Sequence, residues 1–418
     1  MSEFCMEAER KIPVSGESDV LVCGAGPAGV VAAISAARSG ASVRLIEAAG
    51  CLGGIWTNGL LGWLLDINNK NGILREIIES LLQKKAGFMV RGDRLVCDSE
   101  EMKLLLEEMC IKEGIKIRLH TRVVGALTDE SKTVKHIITE SKSGREAWSA
   151  KVFIDASGDG DLGALAGCGY DFGNPENNEA QPMSLIAVVG GIELSEVDKF
   201  NRASKTNSDT AKKAFLAELQ RAGVSPSYTD PFLAHIAENR FLLMVNHIYG
   251  ALGTDADDIT QATLKARREI HEIVTALRKS GKPWENLRVL STAPHIGVRE
   301  GRRIHGLYTV TADDMEKGKS FSCCACKVGF GIDIHTTNTK DSKDYQKTEI
   351  KAKPYEIPYG ALIAKDVNNM LMAGRCISGD FYAHSSYRVT GNAAALGEAA
   401  GKLAAKAVKT NHYPKEIV

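Results

Sequence analysis

One stretch near the start restricts this chain more than any other. It is Asp19-Val-Leu-Val-Cys-Gly24-Ala-Gly26-Pro-Ala-Gly29, running through Val30-Val-Ala-Ala33 to Val43-Arg-Leu-Ile-Glu47. Residues 20–23 are a short apolar run, suited to a parallel strand buried on both faces. Gly24 allows a tight turn, Gly26 lets the backbone approach a pyrophosphate, and Gly29 lets a helix pack against the strand. A helix starting near Pro27 and Ala28 points free N–H groups and its positive dipole end at the phosphates. Glu47 closes a second strand eighteen positions after Gly29, where an acid accepts hydrogen bonds from ribose hydroxyls. Strand, turn, helix, strand and acid in register predict a dinucleotide site without naming the nucleotide.

Composition sets limits around that site. The 418 residues suffice for two or three domain-sized units. With 44% apolar and 25% charged residues, the class is ordinary globular. A formal net charge of zero argues against an electrostatic grip on nucleic acid or an anionic membrane. No apolar run approaches a membrane span, and residues 1–18 lack the apolar core of a signal peptide. A cytoplasmic protein with a loose N-terminal segment is expected. The ten cysteines are mostly scattered, which reads as reduced thiols packed as small apolar groups.

After Glu47 and Ala48, Gly50-Cys51-Leu-Gly53-Gly54 reads as a second pass along the dinucleotide or as a surface loop. Helices are predicted over 71–85 and, with Ser99 as N-cap, over 100–112 with Gly114 as stop. Residues 115–119 form a further strand of a parallel sheet. Residues 123–127, 134–139 and 146–149 form a three-stranded antiparallel meander. Lys151-Val-Phe-Ile-Asp155 returns to the buried-strand pattern and enters Ala156-Ser-Gly158-Asp159-Gly160-Asp161, a nucleotide-site turn or, on its acids, a metal site. Residues 171–335 change character, with polar inserts over 174–181 and 203–211 and amphipathic helices over 211–222 and 261–280. They read as a second domain inserted in the first. Within it, His295-Ile-Gly-Val-Arg299-Glu-Gly-Arg302-Arg303-Ile-His305 concentrates charge, as a helix surface or a substrate anion site. Ser322-Cys323-Cys324-Ala-Cys326 lacks the partner CxxC of a zinc or iron–sulfur set, which leaves metal binding, a redox role or packing, with packing favoured. Asn369-Met-Leu-Met-Ala-Gly374-Arg375 is a strand into a turn. It leads through Gly379 and Asp380 to Arg388-Val-Thr390-Gly391-Asn392 and a small-residue helix over 393–407. The N-terminus of that helix would stabilise negative charge on a reduced flavin.

Four separated blocks resemble the FAD-dependent oxidoreductases of the glutathione reductase-like flavoprotein superfamily. They are the opening glycine block, Leu52-Gly53-Gly54, Ile154-Asp155-Ala156-Ser157-Gly158-Asp159-Gly160, and Ala373-Gly374-Arg375 through Asp380. The segments starting at His295, at Ile332-Asp333-Ile-His335 and at Tyr355-Glu-Ile-Pro358-Tyr359 resemble one branch, usually described only as FAD-dependent oxidoreductases. With the strand and helix pattern, the expectation is an α/β fold. It comprises a Rossmann-type FAD-binding domain with a parallel sheet and a three-stranded antiparallel meander, plus an inserted mixed α+β substrate domain. The divisions are a flexible segment 1–18, FAD-binding parts 19–170 and 336–418, and the insert 171–335. The resemblance implies that Gly24, Gly26, Pro27, Ala28, Gly29, Glu47, Ala48, Gly53 and Gly54 hold the ADP half and the chain beyond it. Val124 would offer backbone to adenine, and Ala156, Gly158, Gly374 and Gly379 would line the cofactor. Asp380 would bind ribityl hydroxyls, and Gly391, Asn392 and Ala393 would meet the flavin ring. Two departures stand out: Cys323-Cys324 where relatives often carry an acid, and the Val-Thr-Gly-Asn start of the final helix.

The expected protein is a flavoenzyme with tightly held, non-covalent FAD, transferring a hydride between a small organic substrate and flavin N5. Arg299, His335 and His384 are the catalytic candidates, because arginine clamps a carboxylate and histidine takes a hydroxyl or amine proton. A single GxGxxG and a lone Cys51 disfavour the NAD(P)H-disulfide reductases, which carry a second dinucleotide fold and a CxxxxC pair. A dehydrogenase or oxidase leads. A flavin reductase or monooxygenase fed by NAD(P)H, and an FAD-bearing electron-transfer subunit, are the alternatives. Expected partners are a small-molecule substrate, with no nucleic acid, membrane or metal, and a homo-oligomer is left open. The substrate itself is not legible, because the insert carries the weakest motifs.

Overall fold

The computed structural model describes residues 5–204, 208–337 and 348–418. Residues 1–4 of the N-terminal segment, 205–207 of the second polar insert and 338–347 near the start of the C-terminal part lie outside the described residues. The apolar run before Gly24 forms β1 (Val14–Cys23), followed by α1 (Pro27–Arg38) and β2 (Val43–Ile46). Helices α2 (Ile73–Gln83) and α3 (Ser99–Lys112) precede β3 (Lys116–Arg118). Ser99 is not the cap of α3. Asp98 accepts the Glu100 N–H at 2.9 Å, while Ser99 Oγ donates to the Trp56 carbonyl.

The meander follows as β4 (Thr121–Thr128), β5 (Val134–Ser141) and β6 (Gly144–Asp155). The expected break between its third strand and the buried strand at 151–155 is absent. No turn-forming residue interrupts β6, Trp148 is pinned by its Nε1–H bond to Thr139 Oγ1 at 2.8 Å, and β1 pairs along β6 from Ala147 to Asp155. The same pairing draws residues 14–18 into β1, out of the segment expected to be loose.

In the insert, β7 (Ala187–Gly190), α4 (Ser208–Arg221), β8 (Phe232–Ala237), β9 (Arg240–Met244), α5 (Ala256–Lys279) and β10 (Arg288–Thr292) follow in turn. The strands form an antiparallel sheet in the order β8-β9-β7-β10. Phe200, Phe215 and Trp284 cluster in a core separate from that of the main sheet. Residues 295–302 are irregular, which removes the helix-surface reading of that segment. From Ile304 onward the chain packs in the first core, with Val310, Met315, Cys326 and Val328 buried there. Strands β11 (Cys324–Val328) and β12 (Tyr355–Pro358) pair, and β13 (Met370–Met372), α6 (Phe381–Tyr387) and α7 (Thr390–Thr410) complete the chain.

The main sheet runs β3-β2-β1-β6-β5-β4, with β13 also pairing β6. Cys23 pairs with both Ile46 and Asp155, and Met372 pairs with Asp155, all in parallel register. The carboxyl ends of β1, β2, β6 and β13 therefore share one edge, where ligands of such sheets bind. Helix α7 packs along α1 backbone to backbone: a Cβ on Gly397 would stand 2.1 Å from the Ala28 carbonyl, and one on Gly401 2.3 Å from that of Ala32. Among the described residues no helix is long and apolar enough to cross a membrane.

Candidate functional site

Four turns meet at the shared sheet edge. Gly24 has φ +91°, and a Cβ there would stand 2.5 Å from the Ala156 carbonyl oxygen, so the first and second glycine turns touch. A Cβ on Gly29 would stand 1.8 Å from the Gly24 carbonyl oxygen, which closes helix against turn. At Gly26 the added Cβ meets nothing within 4 Å, leaving an open face at the start of α1. That helix start has no side-chain cap and no acid in its first turn, as an anion-facing terminus requires. Gly53 N–H donates to the Ala25 carbonyl at 2.7 Å, and a Cβ on Gly54 would come within 2.7 Å of Gly26 Cα.

Glu47 stands at the same edge with its carboxylate across the loop. Oε2 accepts the Ala25 N–H at 2.6 Å and Oε1 the Ala49 N–H at 2.8 Å, spanning Ala48. Val124 is 37% exposed on β4, three residues beyond Thr121, whose N–H donates to the Glu47 carbonyl. The acids of the second turn go to separate partners. Asp155 is buried and accepts from Ser157 and Gly163 N–H, Asp159 pairs with Arg375 at 2.5 Å, and Asp161 pairs with Arg302 at 3.0 Å. Burial pushes Asp159 up to about 6, against the pull of Arg375. Arg375 Nε also donates to the Gly158 carbonyl at 2.9 Å, tying the turn after β13 to the turn after β6. Among the described residues no three His, Cys, Asp or Glu side chains form a metal set.

The third and fourth turns continue this cradle. A Cβ on Gly374 would lie 2.9 Å from Ala28 Cβ and 3.8 Å from Ala393 Cβ, so it sits between the starts of α1 and α7. Gly379 lies under the Tyr387 ring, and Asp380 accepts the Ala383 and Ala312 N–H groups, each at 2.7 Å. Gly391 is pressed against the Leu65 and Asp66 carbonyls. At the start of α7, Thr390 Oγ1 and Asn392 Nδ2 are buried with no hydrogen-bond partner among the described residues. An open glycine face at one helix start and unsatisfied buried groups at the next fit FAD, whose pyrophosphate and ring system need both.

Beyond α7 lies a buried polar network. Arg299 Nη1 donates to the Pro182 carbonyl at 2.6 Å and to Ser184 Oγ at 2.8 Å, and Nη2 stands 3.2 Å from His247 Nε2. His247 stacks on Tyr228 at 4.1 Å between centroids and meets His335 edge-on at 4.8 Å. His335 Nε2 is 3.5 Å from Asp333 Oδ2, and Arg388 Nη2 donates to the Asp333 carbonyl at 2.7 Å. Gln181 joins these groups: its Oε1 accepts the His335 backbone N–H at 3.0 Å and an Arg388 Nη2–H at 3.2 Å, while its Nε2 donates to Glu300 at 2.9 Å. Glu300 pairs with Arg303. The structure thus brings Arg299 and His335 together. His384 is fully buried, 3.8 Å from Glu300, and neither of its ring nitrogens has a hydrogen-bond partner among the described residues.

Charge states follow from these surroundings. Burial depresses His335 to about 4, with Arg299 acting the same way and Asp333 opposing. Burial works against the Asp333 charge, but His335, Arg388 and Arg299 outweigh it and hold the carboxyl below the usual range. At neutral pH the pair is a neutral imidazole beside a carboxylate. Burial lowers Arg388 to about 10, which leaves it charged, pushes Glu300 up and takes His384 well below its ordinary value. Sequence reasoning gave no role to Gln181, Tyr228, His247 or Arg388. They lie far apart in the chain, and only Arg388, next to the start of α7, had a local signal.

A family model described as FAD dependent oxidoreductase matches residues 19–418. The chain is 31% identical to digeranylgeranylglycerophospholipid reductase 2 of Methanopyrus kandleri over 161 residues, 36% of this chain and only 40% of that relative's length. Among solved structures it is similar to a geranylgeranyl bacteriochlorophyll reductase-like protein from Thermoplasma acidophilum, with TM-score 0.49 and 12% identity over 95% of this chain and 80% of that one. It is also similar to p-nitrophenol 4-monooxygenase of Pseudomonas putida, with TM-score 0.43 and 14% identity over 70% of each chain.

Proposed function

Because the chain belongs to the FAD-dependent oxidoreductase family, we propose that it is a dehydrogenase or oxidase, moving a hydride between a small organic substrate and flavin N5. The glutathione reductase-like placement is part of this reading, on the four glycine-containing blocks, as is the role of the insert, whose separate core ends before Ile304, as substrate domain. Bound FAD supplies the two-electron chemistry. The residues that would hold it are those of the glycine turns, Glu47, Asp380 and the first turn of α7.

The observation that carries the reading is the meeting of Arg299 and a neutral, Asp333-paired His335 where the segment entering the insert (181–184) reaches Arg388 at the start of α7. In this reading Arg299 orients an anionic group of the substrate. With Nε2–H turned to Asp333, His335 takes a hydroxyl or amine proton at Nδ1. Asp333 and Arg388 hold the imidazole in place, and His384, fully buried, lies outside this set. Burial of the network excludes water from the proton transfer.

A reductase drawing electrons from NAD(P)H is the second reading, supported by the likeness to a reductase over 161 residues. Anaerobic titration of the FAD-loaded protein with NADH and NADPH separates the two. Flavin bands that persist are expected. Prompt bleaching by either nucleotide would overturn the dehydrogenase reading in favour of the second.

A further inference from the structure

The cysteine cluster at the start of β11 divides in two. Cys326 is buried in the main core, but Cys323 is exposed and Cys324 half-buried. The packing reading therefore holds for one thiol of the three. Seven of the ten cysteines are buried, and the other exposed one, Cys5, lies in the N-terminal segment. Cys323 and Cys324 are thus two neighbouring thiols within reach of solvent, and the reaction proposed above uses neither.

Their surroundings bring the two sulfurs to one place. Cys323 lies in a bend just before the strand, and its carbonyl accepts the Tyr359 N–H at 3.2 Å. The register of β11 against β12 then shifts between Cys324 and Cys326. A bend on one side and a bulge on the other release adjacent side chains from the opposite-face alternation of a regular strand. Burial pushes the Tyr359 phenol up, and Cys324 and Cys323 both act on it in the same direction, so both thiols lie near that side chain. Burial and the Glu356 carboxylate push the Cys324 thiol up. Glu356 is itself fixed, accepting the Phe321 N–H at 2.8 Å and pairing with Lys327 at 3.3 Å.

We propose that Cys323 and Cys324 form a reversible dithiol–disulfide site whose oxidant is a peroxide. The exposed Cys323 sulfur, as thiolate, attacks one oxygen of hydrogen peroxide. The S–O bond forms, the O–O bond breaks, and the leaving hydroxide takes a proton to become water. The Cys324 sulfur then attacks the Cys323 sulfur. The S–S bond forms, the S–O bond breaks, and the Cys324 proton leaves with the second water, with the Glu356 carboxylate close by to pass it. The two sulfurs give up two electrons, and the peroxide becomes two waters. Neighbouring Cα atoms stand about 3.8 Å apart, below the roughly 4.4–6.8 Å of ordinary disulfides. The ring is therefore strained, and a small dithiol reopens it while being oxidised to its own disulfide. Closing the ring turns the peptide between Cys323 and Cys324 and competes with the bond from Tyr359. That bond lies at the end of the ladder that carries Cys326 against Asn392 of α7. The site does not depend on the flavin reading, since any peroxide serves.

The test uses the FAD-loaded full chain carrying Cys5→Ser, which leaves this pair as the accessible thiols. After brief exposure to hydrogen peroxide the protein is unfolded in iodoacetamide and cut with trypsin without reduction. Cleavage after Lys319 and Lys327 isolates one peptide holding Cys323, Cys324 and Cys326. Mass spectrometry is expected to show that peptide lighter by two hydrogens and with a single label, on Cys326. Treatment with dithiothreitol before the label is expected to restore all three labels. Cys324→Ser is expected to lose the ring and to carry at Cys323 a sulfenic acid that dimedone traps. Three labels after peroxide overturn the proposal. So does a single label on Cys323, which would put the ring between Cys324 and Cys326, and so does a sulfinic acid at Cys323 beside a labelled Cys324. Protein that takes up no FAD would overturn the flavin reading and leave this readout as it is.

Discussion

Replacing Gly26 with alanine separates holding the cofactor from holding the fold. Gly26 has φ −68° and ψ −173°, a backbone any residue adopts, and a Cβ there meets nothing within 4 Å. Two small terms oppose each other in the folded protein. Alanine is a poorer helix N-cap than glycine by about 0.5–1 kcal/mol. It also restricts the unfolded chain, which stabilises the fold by about 0.4–1 kcal/mol. Stability is therefore expected within about 1 kcal/mol of wild type. The methyl does stand on the face that a pyrophosphate would approach, in a cradle already narrowed by Gly54. Overfilling a close contact costs about 1–3 kcal/mol, so FAD affinity should fall about 5- to 150-fold. Urea denaturation without FAD reads the first quantity, and quenching of flavin fluorescence on titration reads the second. If Gly26→Ala folds normally and binds FAD as tightly as wild type, the phosphates do not lie on α1 and the reasoning is refuted.

Gly29→Ala should behave in the opposite way, failing to accumulate as folded protein, because its Cβ would stand 1.8 Å from a backbone oxygen; circular dichroism of whatever is recovered checks this. Lys70 is buried, 3.0 Å from Asp66 Oδ2 and 2.8 Å from the Lys327 carbonyl. Lys70→Met should cost about 3–5 kcal/mol in urea unfolding by stranding the carboxylate, and Lys70→Met with Asp66→Asn should recover much of it, since asparagine tolerates the positive φ at Asp66. The depressed His335 makes the folded chain bind a proton less readily than the unfolded one. Its contribution is full above about 6.5 and lost as pH falls toward 4, so His335→Gln should flatten that part of the stability–pH curve. Asp159, raised from 3.8 to about 6, has the opposite sign: its contribution is full at low pH and lost as pH rises through 6, and Asp159→Asn should remove that slope.

What the chain discloses locally and what it does not divide along a physical line. Gly24, Gly26, Gly29 and Glu47 are legible because turn, helix start and acid are neighbours in sequence. So is β13, a short apolar run before Gly374. The length of β6 was not legible, because Ala150 and its neighbours look like a gap until β1 is laid alongside. The cap of α3 was misread by one residue, since Asp98 and Ser99 are both good caps and only the Trp56 carbonyl draws Ser99 away. The polar network was legible only in part. Arg299 and His335 sit in distinctive segments, but Gln181, Tyr228, His247 and Arg388 are joined only by long-range packing. The cysteine cluster reads as packing, but only Cys326 of the three is buried, while Cys323 is exposed and Cys324 half-buried; the contact of Cys326 with Asn392 spans sixty-six positions and leaves no local trace.

The absorption spectrum of the purified full chain, incubated with FAD and freed of unbound cofactor, tests the central claim most directly. The account predicts stoichiometric flavin with its two visible bands retained on the protein. A chain that is folded by circular dichroism yet emerges colourless would contradict it.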